Sequence, residues 1–185
     1  MKKQILGVQI NSKLGDREYN YKKVTTLIDS AISDGITPDI IVLPEVWTTG
    51  WDCYSFNETA EDDNKTEEFL KNLAVKYNSN VIGGSYIKKT KNGNYNTSSI
   101  YLRGGEKIAE YQKIHLYSPD GEAKYVKSGS TPVIVEIEGV KIGLSICYDI
   151  RFPELYRSYI NSEYKPELLI NMSAWPKTRR NQYSI

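Results

Sequence analysis

Cys147 closes the run Val140–Ile146, in which Val140, Ile142, Leu144 and Ile146 alternate with Lys141, Gly143 and Ser145. That period of two predicts a strand with its apolar face in a core. The polar turn YDIRF follows, and then Pro153 opens a predicted helix, ELYRSYI, with Glu154 near its positive end. A thiol at a strand-to-helix junction is held rigidly and sees the amides and dipole of a helix start, which favours the thiolate and nucleophilic chemistry. Taken alone, a cysteine in an apolar strand is more often a small buried hydrophobe. Glu45 sits in the same kind of place, directly after the apolar run DIIVLP. A carboxylate partly desolvated at a strand end has its pKa raised toward the range useful for taking and returning a proton. With His115 the sole histidine, Glu45 is the better base for a thiol. Lys113, after the strand-like KIAEY, could hold negative charge on a carbonyl oxygen as a tetrahedral intermediate forms, with the backbone N–H of Tyr148 as a second donor.

The elements that must position these groups follow in order. QILGVQI predicts a buried first strand, and Asp16 caps a helix whose Tyr21, Val24, Leu27, Ile28, Ala31 and Ile32 recur at helical spacing, with Gly35 placed to end it. DIIVLPE is a strand, VWTTGWDCYSFNETAEDD a long irregular connection, and Phe69, Leu70, Leu73, Ala74 and Tyr77 mark a second helix. NVIGGSYI is again a strand. Turn signals at Asn92-Gly93, Gly104-Gly105 and Glu138-Gly139 break the middle into hairpins, and ELLINMSAW is a last strand. The fold class is α/β with sheet ladders of both kinds; periodicity does not choose between one sheet and two.

Composition narrows the function. Lys plus Arg number 24 against 23 Asp plus Glu, a net charge of +1, so no global field draws the chain to nucleic acid or to an anionic membrane. No apolar run approaches membrane-spanning length, and the N-terminus lacks the pattern of a signal peptide, so a cytoplasmic location is expected. Two cysteines without CxxC spacing and one histidine give no metal or disulfide framework. Cys53, in the long connection, reads as a buried hydrophobe. At 185 residues one domain, residues 1–185, is expected.

Three stretches in order, LPEVWTTG (Leu43–Gly50), YQKIHL (Tyr111–Leu116) and CYDIRFPEL (Cys147–Leu155), resemble the base, lysine and nucleophile motifs of the carbon–nitrogen hydrolase (nitrilase) superfamily. The likeness runs from ILGVQI to NMSAWPKTRR and is nearest the omega-amidase-like branch. It implies a four-layer αββα sandwich. It also implies that the C-terminal portion is missing, because relatives continue beyond KTRRNQYSI with a helix and further strands. The resemblance makes Glu45 the base, Lys113 the oxyanion lysine, Cys147 the nucleophile and Glu122 of SPDGE a second glutamate orienting the lysine or the attacking water. His115 becomes a supporting hydrogen-bonding group, and Ala174 stands where an asparagine is common. Trp47, Trp51 and Trp175 could wall a small pocket; Arg151 could meet a substrate carboxylate or brace the turn after Cys147. The implied reaction cleaves a small omega-amide of a dicarboxylate, such as 2-oxoglutaramate, through a thioester, releasing ammonia without cofactor or metal. Hydrolysis of N-carbamoyl amines or nitriles, or an inactive remnant that only binds, are the alternatives. A homodimer is implied for a complete domain.

Overall fold

The computed structural model describes residues 3–175. Its first sheet contains β1 (Ile5–Gly7), β2 (Ile40–Val42), β3 (Asn80–Ile82), β4 (Tyr86–Thr90), β5 (Gly93–Tyr101) and β6 (Lys107–Gln112). β1, β2 and β3 run parallel, because helix-bearing crossovers join them; the rest is antiparallel, because tight turns send the chain straight back. β3 and β4 share one edge of β5, and β6 takes the other. The second sheet has β8 (Val140–Ile146) at its centre, antiparallel to β7 (Ile134–Ile137) and parallel to β9 (Leu168–Met172).

Alternation along the strands decides what each face meets. Ile41 and Val81 face α1 (Arg17–Ser33) and α3 (Lys65–Tyr77), which contribute Tyr21, Val24, Ile28, Leu70, Leu73 and Ala74. Their neighbours Ile40 and Ile82 point the other way, and with Ile100 and Tyr111 they pack on Val135, Ile137, Ile142, Leu144, Ile146 and Met172 of the second sheet. Beyond that sheet, α4 (Pro153–Asn161) seats Leu155 and Tyr159, whose hydroxyl donates to the Leu144 carbonyl. Helix, sheet, sheet, helix is the αββα sandwich. A single-turn helix α2 (Phe56–Thr59) lies in the long connection after β2.

Asp16 caps α1 as expected, accepting from Tyr19 N at 3.0 Å. One expectation changes: β1 is an edge strand, so Ile5 is 42% exposed instead of buried. The turn expected between Cys147 and the helix at Pro153 is a one-turn 3-10 segment, Cys147–Arg151. The continuation SAWPKTRR is described only as far as Trp175; Pro176 to Ile185, and with them the reading of a missing portion, lie outside the described residues. No helix among the described residues is long and apolar enough to cross a membrane.

Charge clusters close the sandwich away from the strand ends that carry Glu45 and Cys147. Glu138, at the tip of the β7–β8 hairpin, accepts from Lys3, Arg103 and, at 2.9 Å, Asn80 Nδ2, which ties the two sheets together. In the first turn of α3, Glu67 accepts from Lys88 at 2.6 Å and Lys107 at 2.9 Å, and both lysines also reach Glu110. Burial alone would push the Glu67 carboxyl up, but the two ammonium groups override it and hold the pKa at about 2. A depressed folded-state pKa gives stability that is present above the ordinary value of 4.5 and drains as pH falls toward about 2. Lys88→Met should therefore flatten the acid side of a stability curve. Urea midpoints measured from neutral pH down through this window would show it, and a slope equal to that of the parent would exclude the assigned role of Glu67.

Candidate active site

Glu45, Lys113, Glu122 and Cys147 leave four separate segments and converge. Glu45 follows β2, and Lys113 follows β6, its N–H donating to the Asn96 carbonyl at 2.9 Å so that the antiparallel ladder runs one residue past the strand. Glu122 opens a 3-10 turn at Glu122–Lys124, and Cys147 closes β8. Glu45 is 2% exposed, and Lys113 and Glu122 are wholly buried. Lys113 Nζ donates to Glu45 Oε1 at 2.9 Å, to Glu122 Oε2 at 2.9 Å and to Glu122 Oε1 at 3.2 Å. The two oxygens of Glu122 share one hydrogen, so the two carboxylates take two of the ammonium's three. The Trp51 ring lies under the ammonium, 4.9 Å from Nζ, and its indole N–H donates to Asp120 at 3.2 Å.

Burial disfavours the Lys113 charge, but Glu45 and Glu122 outweigh it and hold the ammonium protonated, its pKa raised above the usual range. Burial raises Glu122; Lys113 opposes the rise and Glu45 adds to it. The Cys147 thiol is also pushed up, first by burial and then by the Glu45 charge, with Lys113 working the other way. That reverses the expectation of a ready thiolate: the thiol is 7% exposed beside a carboxylate and is separated from the start of α4. Such a thiol holds its proton until a base removes it. Cys53 is pushed up to about 12, chiefly by burial, as its reading as a small hydrophobe anticipates.

The second sheet supplies the partner surface. Ala174 N donates to Glu45 Oε2 at 3.0 Å, and the Cys147 thiol points at Ala174 O, 3.9 Å away. Thiol and carboxylate thus meet at the backbone of one residue, the carboxylate at its N–H and the thiol at its carbonyl. Ala174 touches Glu45 through its backbone N–H.

The turn that carries Cys147 is braced by Asp149, which sequence reasoning missed. Its buried carboxylate accepts from Tyr111 Oη at 2.7 Å, Ile146 N at 2.9 Å, and His115 N and Nδ1 at 2.8 Å each. His115 also stacks on Phe152 with ring centroids 3.8 Å apart, which fits its reading as a supporting group. Arg151 is exposed and pairs with no side chain among the described residues, so the bracing belongs to Asp149. Tyr148 is half-buried between Tyr117 and Phe152. Trp175 is half-buried at the edge of the inter-sheet core. Trp47 is not brought to the site: it is fully buried on the helix side of the first sheet, against Tyr21 and Phe69, and its N–H donates to Gly83 O at 2.8 Å. Asn96 is the other residue missed. Its side-chain NH2 donates to Glu45 Oε1 and Glu122 Oε1, each at 3.1 Å.

A buried thiol, a carboxylate within reach of it and a lysine fixed by a second carboxylate, at the strand ends of an αββα sandwich, define a cysteine-dependent hydrolase. The chain matches the carbon-nitrogen hydrolase model over residues 7–184 and belongs to that family. It is 33% identical over 184 residues to the 2-oxoglutaramate amidase of Bacillus subtilis (strain 168), covering 99% of this chain and 69% of that protein. It is 32% identical to the chloroplastic omega-amidase of Arabidopsis thaliana, covering 80% of this chain and 43% of that one. The fold superposes with a TM-score of 0.88 on a CN-hydrolase superfamily protein of Xanthomonas campestris at 23% identity, over 99% of this chain and 69% of that one. For Nit3 of Saccharomyces cerevisiae the TM-score is 0.84 at 25% identity, over 97% and 67%. The chain thus spans between under half and about two thirds of the length of these proteins.

Glu45 is aimed by a strained turn. Val46 has φ 42°, a costly value for a β-branched residue, and its N–H is held by Ser85 Oγ at 3.0 Å. Gly84 makes room for that turn: a Cβ there would lie 2.1 Å from the Pro44 carbonyl oxygen, and its φ is +63°. Gly84→Ala should cost about 2 kcal/mol or more, the range of mutations that force a special backbone conformation. Denaturant midpoints would measure this, and an unchanged midpoint would show that the turn tolerates the clash.

Proposed function

We propose that the chain hydrolyses small amides through a cysteine thioester, with a short omega-amide of a dicarboxylate, such as 2-oxoglutaramate, as the preferred substrate. The observation that carries this reading is the meeting of Cys147, Glu45 and Lys113 in one buried cluster, with base and thiol both against the backbone of Ala174.

Because the thiol rests protonated, Glu45 takes its proton as sulfur attacks the amide carbonyl, and a C–S bond forms. The carbonyl oxygen becomes an oxyanion held by Lys113 and the Tyr148 N–H. Glu45 returns the proton to the departing nitrogen, the C–N bond breaks and ammonia leaves. A water molecule, deprotonated by the same carboxylate, then attacks the thioester; the acid departs and sulfur regains its proton. Glu122 keeps Lys113 aimed throughout. Arg151, exposed on the turn behind the nucleophile, suits a distal carboxylate, and Tyr148 and Trp175 suit the walls of a small pocket. The omega-amidase and 2-oxoglutaramate amidase names of the relatives support the substrate class.

Ammonia release by the purified protein tests the proposal. Turnover is expected with 2-oxoglutaramate and glutaramate-type compounds, and kcat/KM should fall for nitriles, N-carbamoyl amines and peptides. Cys147→Ser and Glu45→Gln should abolish it, and Lys113→Ala should lower it by about a hundredfold or more, as for loss of an oxyanion donor. A nitrile or carbamoyl amine with the higher kcat/KM would replace the substrate class. Binding without turnover across the panel would turn the reading toward a non-catalytic role.

A further inference from the structure

Around Lys113 the ionic arithmetic does not close. One ammonium faces two carboxylates, Glu45 and Glu122, in a site with almost no solvent access. Two like charges sharing one buried partner repel, and without further donors one of them takes a proton. The compensating donors are neutral: Ala174 N gives to Glu45 Oε2 at 3.0 Å, Tyr117 N to Glu122 Oε2 at 2.6 Å, and one side chain reaches both carboxylates. Asn96, wholly buried on β5, gives Nδ2 to Glu45 Oε1 and to Glu122 Oε1, both at 3.1 Å, and these are two of the oxygens that Lys113 also holds. Lysine, first glutamate, asparagine and second glutamate form a closed ring of hydrogen bonds.

The orientation of the Asn96 amide is fixed by chemistry. Turning it over would set its carbonyl oxygen against two carboxylates, so the NH2 must face them. The buried Oδ1 has no hydrogen-bond partner among the described residues. An unsatisfied buried acceptor is destabilising, and an apolar side chain of the same size would avoid it. What Asn96 has in its favour is its amide NH2, engaged with both carboxylates.

We propose that Asn96 is a positioning residue whose amide supplies the two donors that let a single lysine hold Glu45 and Glu122 side by side as carboxylates. It acts through Glu45, keeping the base free to accept the thiol proton at neutral pH, and the inference rests on the amidase reading above. The titratable groups that face the ring are Glu45 after β2, Lys113 after β6, Glu122 in its 3-10 turn and Cys147 after β8. Cys53 and Asp120 lie further out.

Asn96→Leu keeps the volume and removes both donors. It should lower kcat/KM at neutral pH by about a hundredfold, the scale of a lost general base, and move the acid limb of the pH profile up by about one unit. The same substitution made in Glu122→Gln should move the limb by less than about a third of a unit, because one carboxylate is gone and the new amide supplies a donor; coupled sites show such non-additivity. Infrared spectroscopy gives a readout independent of turnover. A protonated-carboxyl band should appear at a higher pH in Asn96→Leu than in the parent, and not in the double variant. Asn96→Ser, with one donor left, should fall between and serves if the leucine variant does not fold. An unshifted band, equal shifts in both backgrounds, or a loss of thermal stability with the limb in place would each overturn the inference. A parent protein that shows the band shifts but hydrolyses no amide would refute the amidase reading alone.

Discussion

The buried ammonium of Lys113 is the constraint around which the site is built. Placing a lysine out of water costs several kcal/mol unless its charge is met and its hydrogens are used, and both conditions are satisfied by residues distant in sequence. Glu45 and Glu122 supply the charge, Trp51 the polarisable floor, and Tyr117 N, at 2.6 Å from Glu122, a further donor to the second carboxylate. The irregular segments after β2 and after β6 are stitched to the first sheet at Glu61 and at Lys127, and share an apolar cluster of Val46, Cys53, Phe56 and Val126 on Ile87. Over that footing the lysine charge and the Trp51–Asp120 hydrogen bond join the two segments at the site.

Backbone strain collects at the same place. Val46, next to Glu45, and Cys147 itself both have left-handed φ, 42° and 45°. Each is over-determined by its neighbours: Ser85 and Gly84 at the first, Asp149 with its partners at the second. Strain of this kind, on the order of 1–3 kcal/mol per residue, survives only where the surrounding structure leaves no alternative. At each place it breaks the strand alternation, so the chain leaves the sheet in a direction the pleat would not give.

The legible part of this molecule was the part whose chemistry is local. Strand alternation, the Asp16 cap and the hairpin turns were readable because each is decided within a few residues. Cys147 and Glu45 stood out because each ends an apolar run, and Lys113, after the mixed KIAEYQ, stood out only through its motif. Asn96 was not, since NYNTSS carries no apolar contrast and the ladder partner of Asn96 is seventeen residues on in Lys113. Trp47 was misplaced because one left-handed residue, Val46, redirects the chain, so that Glu45 faces the site and Trp47 the helices. The thiolate expectation failed for a related reason: the dipole of a following helix was legible, but the burial and the neighbouring carboxylate that outweigh it come from other segments.

The lysine's grip has a consequence for approach. Glu45 takes one hydrogen of Lys113 and the two oxygens of Glu122 share another, so two of the three directions around the ammonium are fixed by the protein. Asn96 ties the same two carboxylates together from the other side, which keeps those directions from drifting. The resting ion cluster therefore acts as a gauge as well as a scaffold: any further acceptor that reaches the ammonium has one bearing left to it.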